Sequence, residues 1–251
     1  MSKTPFHGTW RNTDAASGSV TALAFEPGQA RVHAWAAAPG REGSIDLGAG
    51  PIEVFGGIGD PAPLAFTAQL PGAGEGEVLL QGNINRGLMI LATYQWCSGD
   101  SVLSGRFSRE FHARRDSGFV PPTSIARSAG PAGASSSTRV DPREFLGRWI
   151  NAGDQGDLRS LEISASGSRL LLNVRGSDRR LPSVWPDGEA WLFGYLDELG
   201  HDTLLLLGRF ELPEGRSDLQ IKAVTGTAVV AGFHVRRDGR SWFTREFLHR
   251  A

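Results

Sequence analysis

The chain has a single cysteine, Cys97, among its 251 residues. An intrachain disulfide is therefore impossible, and a reducing compartment is expected. No apolar run approaches the roughly 20 residues that a membrane helix requires. The N-terminal residues also lack the basic and apolar regions of a signal peptide. These absences predict a cytoplasmic protein that does not enter a membrane.

The sequence has no excess of charge of either sign. Lys and Arg number 26 and Asp and Glu number 27, so the formal net charge is −1. Such a balance provides no field that would attract nucleic acid or an acidic membrane surface. The balanced charge favours a small or neutral partner.

The motifs of common cofactor and metal sites are missing. The sequence contains no HxH, HExxH or Cys/His cluster and no GxSxG, P-loop or Rossmann glycine pattern. Its glycines mark turns, and a phosphate-binding loop would need a helix after it. We therefore predict no cofactor and no metal ion.

What the sequence does contain is an internal repeat. FHGTWRN at 6–12 returns as FLGRWIN at 145–151, and FSREFHAR at 107–114 returns as FTREFLHR at 243–250. The distance between the opening and closing motifs is nearly the same in both copies. One unit of about a hundred residues is therefore present twice.

The repeat divides the chain into residues 1–115, a linker at 116–143 and residues 144–251. Of the 28 linker residues, 17 are Pro, Gly, Ser or Ala. This composition is typical of a flexible tether. Its expected span allows the two units to pack side by side, and a homodimer is the other arrangement considered.

Each unit contains eight strand-like runs separated by turn signals, and no long segment has a period of 3.6 residues. The fourth run of the second unit is predicted at 181–193. Short alternating strands joined by short turns are typical of an up-and-down barrel, which has no exposed edge strand. The predicted fold is all-β, with two tandem eight-stranded antiparallel up-and-down β-barrels joined by a flexible linker.

The opening Gly-x-Trp and a closing Arg resemble the signature of the calycin superfamily, which includes lipocalins and avidins. GTW at 8–10 and GRW at 147–149 open the copies, and Arg109 and Arg245 close them. In that superfamily the tryptophan packs across one end of the barrel and the arginine lies against it. The resemblance implies that these residues are structural, with a cation–π contact in each copy.

This pairing has a consequence for the last strand, because successive side chains of a strand point to opposite faces. If Arg109 reaches Trp10, then Arg109 and Phe111 point into the barrel. Ser108 and Glu110 then point outwards.

In the preceding strand, 88–96, both faces are largely apolar. One face carries Leu88, Ile90, Ala92, Tyr94 and Trp96, and the other carries Met89, Leu91, Thr93 and Gln95. One face lines the barrel, and the other meets the second unit or another chain. Alternation alone leaves open which is which.

Residues that the two copies do not share are the candidates for function. The predicted ligand-binding residues are Trp35, Tyr94, Trp96, Trp191 and His234, and the candidate catalytic residues are His33, Tyr94 and His234. Tyr94 and His234 are aligned with each other in the seventh strands of the two copies. Aromatic rings with a few hydrogen-bonding tips are what a pocket for a mostly apolar molecule requires.

Three functions follow from this pattern. The first is binding of a small, largely hydrophobic or aromatic molecule in a barrel cavity. The second is a cofactor-independent cyclase or isomerase of specialised metabolism, in which orientation and one His or Tyr assist the reaction. The third is a structural or interaction module with filled barrels. An interior cavity of about 300 Å³ or more would favour a ligand.

Overall fold

Alternating runs between glycine and proline turns form strands throughout the part of the chain that the structure describes. The structure is a computed structural model, and it describes residues 5–26, 28, 30–38, 43–58, 60–72, 76–96, 105–115, 142–153, 156–167, 169–195 and 204–251. Within these ranges the one helical segment is a 3₁₀ turn at Pro142–Glu144. No helix there is long and apolar enough to cross a membrane. The predicted all-β class is confirmed.

The strands of the first repeat pair in chain order, all antiparallel, and the first strand also pairs with the last. We call this closed set the first ring. Its strands are β1 (Gly8–Asn12), β2 (Val20–Phe25), β3 (Arg31–Ala37), β4 (Ser44–Gly57), β5 (Asp60–Leu70), β6 (Val78–Asn85), β7 (Leu88–Trp96) and β8 (Gly105–Arg115).

The second repeat closes in the same way, and we call it the second ring. Its strands are β9 (Gly147–Asn151), β10 (Leu158–Ser166), β11 (Arg169–Gly176), β12 (Gly188–Tyr195), β13 (Leu204–Leu212), β14 (Gly215–Val224), β15 (Thr227–Arg236) and β16 (Ser241–Arg250). Of the predicted linker, residues 116–141 lie outside the described residues.

Each ring encloses its own apolar core. The opening tryptophans lie at equivalent places in these cores, and their indole nitrogens make the same hydrogen bond. Trp10 Nε1 donates to the carbonyl of Phe6 and Trp149 Nε1 to that of Phe145, both at 2.8 Å. The repeated opening motif therefore forms the same local structure twice.

The arginine stacked on Trp149 is Arg250, and the predicted pairing with Arg245 is wrong. The guanidinium carbon of Arg250 lies 4.6 Å from the centre of the indole ring. Its Nη2 donates to the carbonyl of Glu144 at 2.5 Å, so it also ties the entry of the second ring to its last strand. Arg245 points to the other face, where its guanidinium lies 6.0 Å from the ring of Phe247.

Arg114 takes the corresponding place in the first ring. It lies directly opposite Trp10 in the β1–β8 ladder, and a methyl group on Gly8 would come within 3.6 Å of its Nε. Arg109 is opposite Ala92 in the β7–β8 ladder and points to the outer face. The predicted contact between Trp10 and Arg109 is therefore also wrong. The two arginines of the motif are an odd number of residues apart, so they face opposite sides.

The predicted faces of β8 are consequently reversed. Ser108 is 2% exposed and His112 is fully buried, whereas Phe111 is 52% exposed. Glu110 accepts a hydrogen bond from the hydroxyl of Ser17 inside the ring. Because the wrong arginine was paired with Trp10, the predicted inner and outer faces of the whole strand are reversed.

The two rings are joined through two equivalent pairs of strands. β8 pairs in parallel with β12, where Gly194 lies opposite Arg106. β16 pairs in parallel with β4, where Trp242 lies opposite Gly56. Each pair joins the eighth strand of one repeat to the fourth strand of the other. The contact therefore has pseudo-twofold symmetry, like the interface of a symmetric dimer.

Aromatic contacts between the rings follow the same symmetry. Phe55 packs edge-on against Phe233, with ring centres 5.3 Å apart, and Phe193 packs edge-on against Tyr94 at 5.1 Å. By ladder position Phe55 corresponds to Phe193, and Tyr94 corresponds to Phe233. The outer faces of the rings thus form apolar clusters against each other.

One predicted strand begins later than expected. The run placed at 181–193 becomes a strand only at Gly188. Pro182 and Pro186 each lack a backbone donor and interrupt the ladder. Residues 177–187 instead form an irregular segment that folds back against β11, where the amide of Trp185 donates to the carbonyl of Val174, and we call this segment the strap.

The reassigned arginines lead to a stability prediction. Arg250→Ala should lower the free energy of unfolding by roughly 1–2 kcal/mol, because it removes the cation–π contact and the bond to Glu144. Arg245→Ala should change it by no more than about 0.5 kcal/mol. Urea unfolding of both variants measures this. A larger loss in Arg245→Ala would support the pairing expected from the sequence.

Candidate functional site

Three of the predicted ligand-binding residues lie between the rings. Tyr94, Trp96 and Trp191 belong to one outer-face cluster that also contains Phe193 and Leu207. Tyr94 is fully buried, and burial raises the pKa of its hydroxyl well above the ordinary value. These side chains join the two repeats and do not line the interior of either ring.

The predicted alignment of Tyr94 with His234 is wrong by one residue. Tyr94 lies opposite Phe107, whereas His234 lies opposite Trp242. Phe107 and Trp242 are not equivalent in the closing motifs, and the counterpart of Tyr94 is Phe233. A slip of one residue moves a side chain to the other face of a strand. His234 therefore points into its ring while Tyr94 points out.

Trp35 and His33 lie on the outer face of β3. Val32 and Ala34, which alternate with them, belong to the first core. The two rings stack with centres 4.1 Å apart, and His33 Nε2 is 2.7 Å from Asp46 Oδ1. The side chain of His33 is 32% exposed, whereas Trp35 is only 4% exposed, and neither residue belongs to the apolar core of the first ring.

His234 is the predicted residue that the structure places inside a ring. It is fully buried, and both ring nitrogens have hydroxyl partners. Nδ1 is 2.9 Å from Ser217 Oγ, and Nε2 is 3.0 Å from Thr244 Oγ1. Trp242 stacks on the imidazole at 5.1 Å between ring centres, and Trp185 meets it edge-on at 6.4 Å. A polar centre is thereby enclosed by indole rings.

Burial determines the protonation state of this centre. Desolvation lowers the pKa of His234 to about 4, and the charge of Arg180 acts in the same direction, whereas Asp157 opposes it. The imidazole is therefore neutral at pH 7, with one nitrogen donating and the other accepting. A general base works best with a pKa near the working pH. The site is consequently better suited to hydrogen bonding than to proton abstraction.

The strap is fastened beside this centre by a buried ion pair. The side chain of Asp157 is completely buried, and its Oδ1 lies 2.7 Å from Nη2 of Arg180, a strap residue. Trp242 Nε1 donates to Asp157 Oδ2 at 3.1 Å. The backbone amide of Ser177 donates to the Asp157 carbonyl at 2.9 Å. Asp157 therefore links the strap to the indole that covers His234.

Strap side chains fill the space next to His234. Leu181 and Trp185 are nearly inaccessible and belong to the second core. Trp185 packs edge-on against Phe210, with ring centres 4.9 Å apart. The cavity that remains beside His234 has a volume of about 10 Å³, room for about one water molecule. In this conformation the space beside His234 is too small for a ligand.

A larger groove lies on the outer surface of the second ring. Its volume is about 480 Å³, and its lining includes Arg148, Arg159 and Arg175. None of the residues predicted from the sequence contributes to it. The groove is lined by residues of β9–β11 and by Ser177, Asp178 and Ser183 of the strap, and His234 does not line it.

No protein-family model matches this chain, and no curated protein matches it in sequence. The functional assignment therefore depends on the geometry of the site. Among the described residues, no group of three or more His, Cys, Asp or Glu side chains is arranged to hold a metal ion.

Sequence reasoning missed most of the neighbours of His234. The missed residues are Asp157, Arg180, Ser217, Trp242 and Thr244. Ser217 and Thr244 could have been found by strand alternation if the inward face of the last strand had been assigned correctly. Asp157 and Arg180 lie in irregular segments, where no periodicity indicates which way a side chain points.

The buried histidines predict a loss of stability in acid. Burial lowers the pKa of His112, like that of His234, from 6.5 to about 4. The unfolded chain therefore binds more protons between these values, so the stabilisation is complete above pH 6.5 and is lost as the pH falls towards 4. Each histidine should contribute roughly 2–3 kcal/mol to the loss between pH 7 and pH 4.5.

Urea unfolding of the wild type and of His234→Gln at these two pH values isolates the contribution of His234 to the loss of stability in acid. Burial raises the pKa of Glu110 and Glu246, which acts in the opposite direction just above pH 4.5, but these groups are common to both proteins. The variant should lose less stability in acid than the wild type. Equal losses would contradict the burial of a neutral His234.

Proposed function

We propose that the two rings are tandem calycin-like β-barrels, one in each repeat, with residues 116–143 as the linker. The proposal is supported by the closure of each ring and by the indole hydrogen bond made twice. The stacking of Arg250 on Trp149 also supports it, because it resembles the calycin contact, although a different arginine makes it. The barrel interiors are then the natural places for a ligand.

We further propose that the protein binds a small, largely apolar molecule with one hydrogen-bonding group inside the second barrel. The observation that carries this proposal is the buried set of Ser217, His234 and Thr244. The indoles of Trp185 and Trp242 flank this set and would contact the apolar body of a ligand. A neutral imidazole and two hydroxyls can either donate or accept, so they suit an alcohol, a ketone or an amine.

Binding requires the strap to open, since Leu181 and Trp185 occupy the place that the ligand would take. The strap is irregular, and it is held by three backbone hydrogen bonds, two of them to β11, and by the side-chain pair between Arg180 and Asp157. Rearrangement of an irregular segment leaves the strands unchanged, as in other proteins whose sites are covered by a loop. Opening of the strap would move the side chains of Trp185 and Leu181 out of the interior.

The low pKa of His234 favours binding over the cyclase or isomerase considered above. At pH 7 an imidazole with a pKa of about 4 is a weak base. Catalysis would then depend on orientation of the substrate alone. We therefore assign the site to binding and keep no residue as catalytic.

The second candidate function is a filled structural or interaction module. The 10 Å³ volume of the cavity beside His234 favours it. In that case the polar centre serves only to fix the packing of the core, and the strap stays closed.

A neutral fluorescent probe, N-phenyl-1-naphthylamine, distinguishes these two functions. It has an apolar aromatic body and one N–H donor, so the opened site should bind it with an increase in fluorescence. Arg180→Gln should tighten binding several-fold, because it removes the side-chain ion pair that helps to hold the strap closed. Ser217→Ala should weaken binding by roughly 5–10-fold through loss of one hydrogen bond.

Arg240→Gln is the matched control, because it breaks an exposed ion pair with Asp238 in a turn outside the strap. Its affinity for the probe should equal that of the wild type. If neither the wild type nor Arg180→Gln binds the probe, the filled module is the correct function. Equal binding by Ser217→Ala and the wild type would place the probe elsewhere on the protein.

A further inference from the structure

Two glutamines meet where the outer faces of the rings come together. Gln220 Nε2 donates to Gln81 Oε1 at 2.6 Å, and Gln81 is 2% exposed. Gln81 lies opposite Ala92 in the first ring, and Gln220 lies opposite Ala231 in the second. The hydrogen bond therefore joins equivalent residues across the pseudo-twofold axis.

In each ring an arginine lies on the far side of the alanine from the glutamine, so that the three residues form a row across neighbouring strands. Arg109 lies opposite Ala92, and Arg245 lies opposite Ala231. Each ring thus presents Gln, Ala and Arg side by side on three neighbouring strands, and the two rows face each other. In each row the short alanine side chain therefore lies between two long ones.

The two guanidinium groups are close enough to repel each other. Both side chains are partly accessible to solvent, but desolvation lowers the pKa of Arg109, and the positive charge of Arg245 lowers it further. The nearby carboxylate of Asp218 is already engaged, with Arg209 Nε at 3.0 Å from its Oδ1. The two arginines therefore lie near each other, and neither forms an ion pair with a carboxylate among the described residues.

Two buried donors in the same contact have no hydrogen-bond partner among the described residues. They are Gln81 Nε2 and the hydroxyl of Tyr94. Tyr94 is next but one to Ala92 on the same face of β7, and the charge of Arg109 acts on it. Buried polar groups are nearly always paired, so unpaired donors in a protein interior indicate a water molecule or an ion.

We propose that this cluster binds a small monovalent anion, a halide or a carboxylate, between Arg109 and Arg245. Two guanidinium groups supply the positive charge, and the Gln81 amide and Tyr94 hydroxyl supply neutral donors. The ligand has to be small, because Gln81, Ala92 and Tyr94 are almost completely buried. The bound anion removes the repulsion between the arginines, so it strengthens the contact between the two repeats.

Thermal unfolding of the full chain in increasing sodium bromide tests this proposal. The wild-type midpoint should rise by roughly 5 °C at saturating bromide, because the anion binds the folded state alone. Arg109→Gln should lose most of this rise. Arg169→Gln, which removes an exposed arginine at the start of β11, is the matched control and should behave as the wild type does.

Diffraction from wild-type crystals soaked in bromide provides a second measurement that does not depend on a variant. An anomalous peak is expected between the guanidinium groups of Arg109 and Arg245. Substitution of acetate for bromide then tests whether a carboxylate occupies the same place. The same bromide dependence in Arg109→Gln and the wild type would overturn the proposal, and so would the absence of a peak at this position.

Discussion

The arrangement of the whole molecule depends on which face of each closing strand points inwards. Arg250 stacks on Trp149 inside the second ring, so Thr244 and Glu246 are also inside. Phe243 and Arg245 then lie outside, because successive side chains of a strand alternate. This one choice decides which residues fill the interior and which ones are left to join the two repeats.

The outer faces form a second set of apolar contacts, and these have the symmetry of the duplication. Each repeat offers the other its fourth and eighth strands, so one chain reproduces the interface of a symmetric dimer. The interiors are less alike. His234 and Ser217 in the second ring correspond by ladder position to Gln95 and Val78 in the first. The second ring therefore has a buried polar centre at a place where the first has a different pair, which is why the proposed ligand is placed in the second ring.

The repeat, the all-β class and the positions of the strands could be predicted from the sequence, because turn residues and alternation are local signals. The sequence did not show which side chains of each strand point into the ring and which point outwards. Each closing motif contains two arginines, Arg109 and Arg114 in the first copy, and only the ladder register shows which one meets the tryptophan. A difference in turn length likewise displaced the alignment of Tyr94 by one residue, which exchanges the faces. The strap escaped prediction because its side chains follow no period.

The central claim is that the outer faces of the two repeats are packed against each other, and a double-mutant cycle between Tyr94 and Phe193 tests it most directly. The aromatic contact at 5.1 Å predicts a coupling energy of roughly 0.5–1.5 kcal/mol between Tyr94→Leu and Phe193→Leu in urea unfolding. Additive losses, with a coupling energy near zero, would mean that the two residues do not touch and that Tyr94 lies elsewhere.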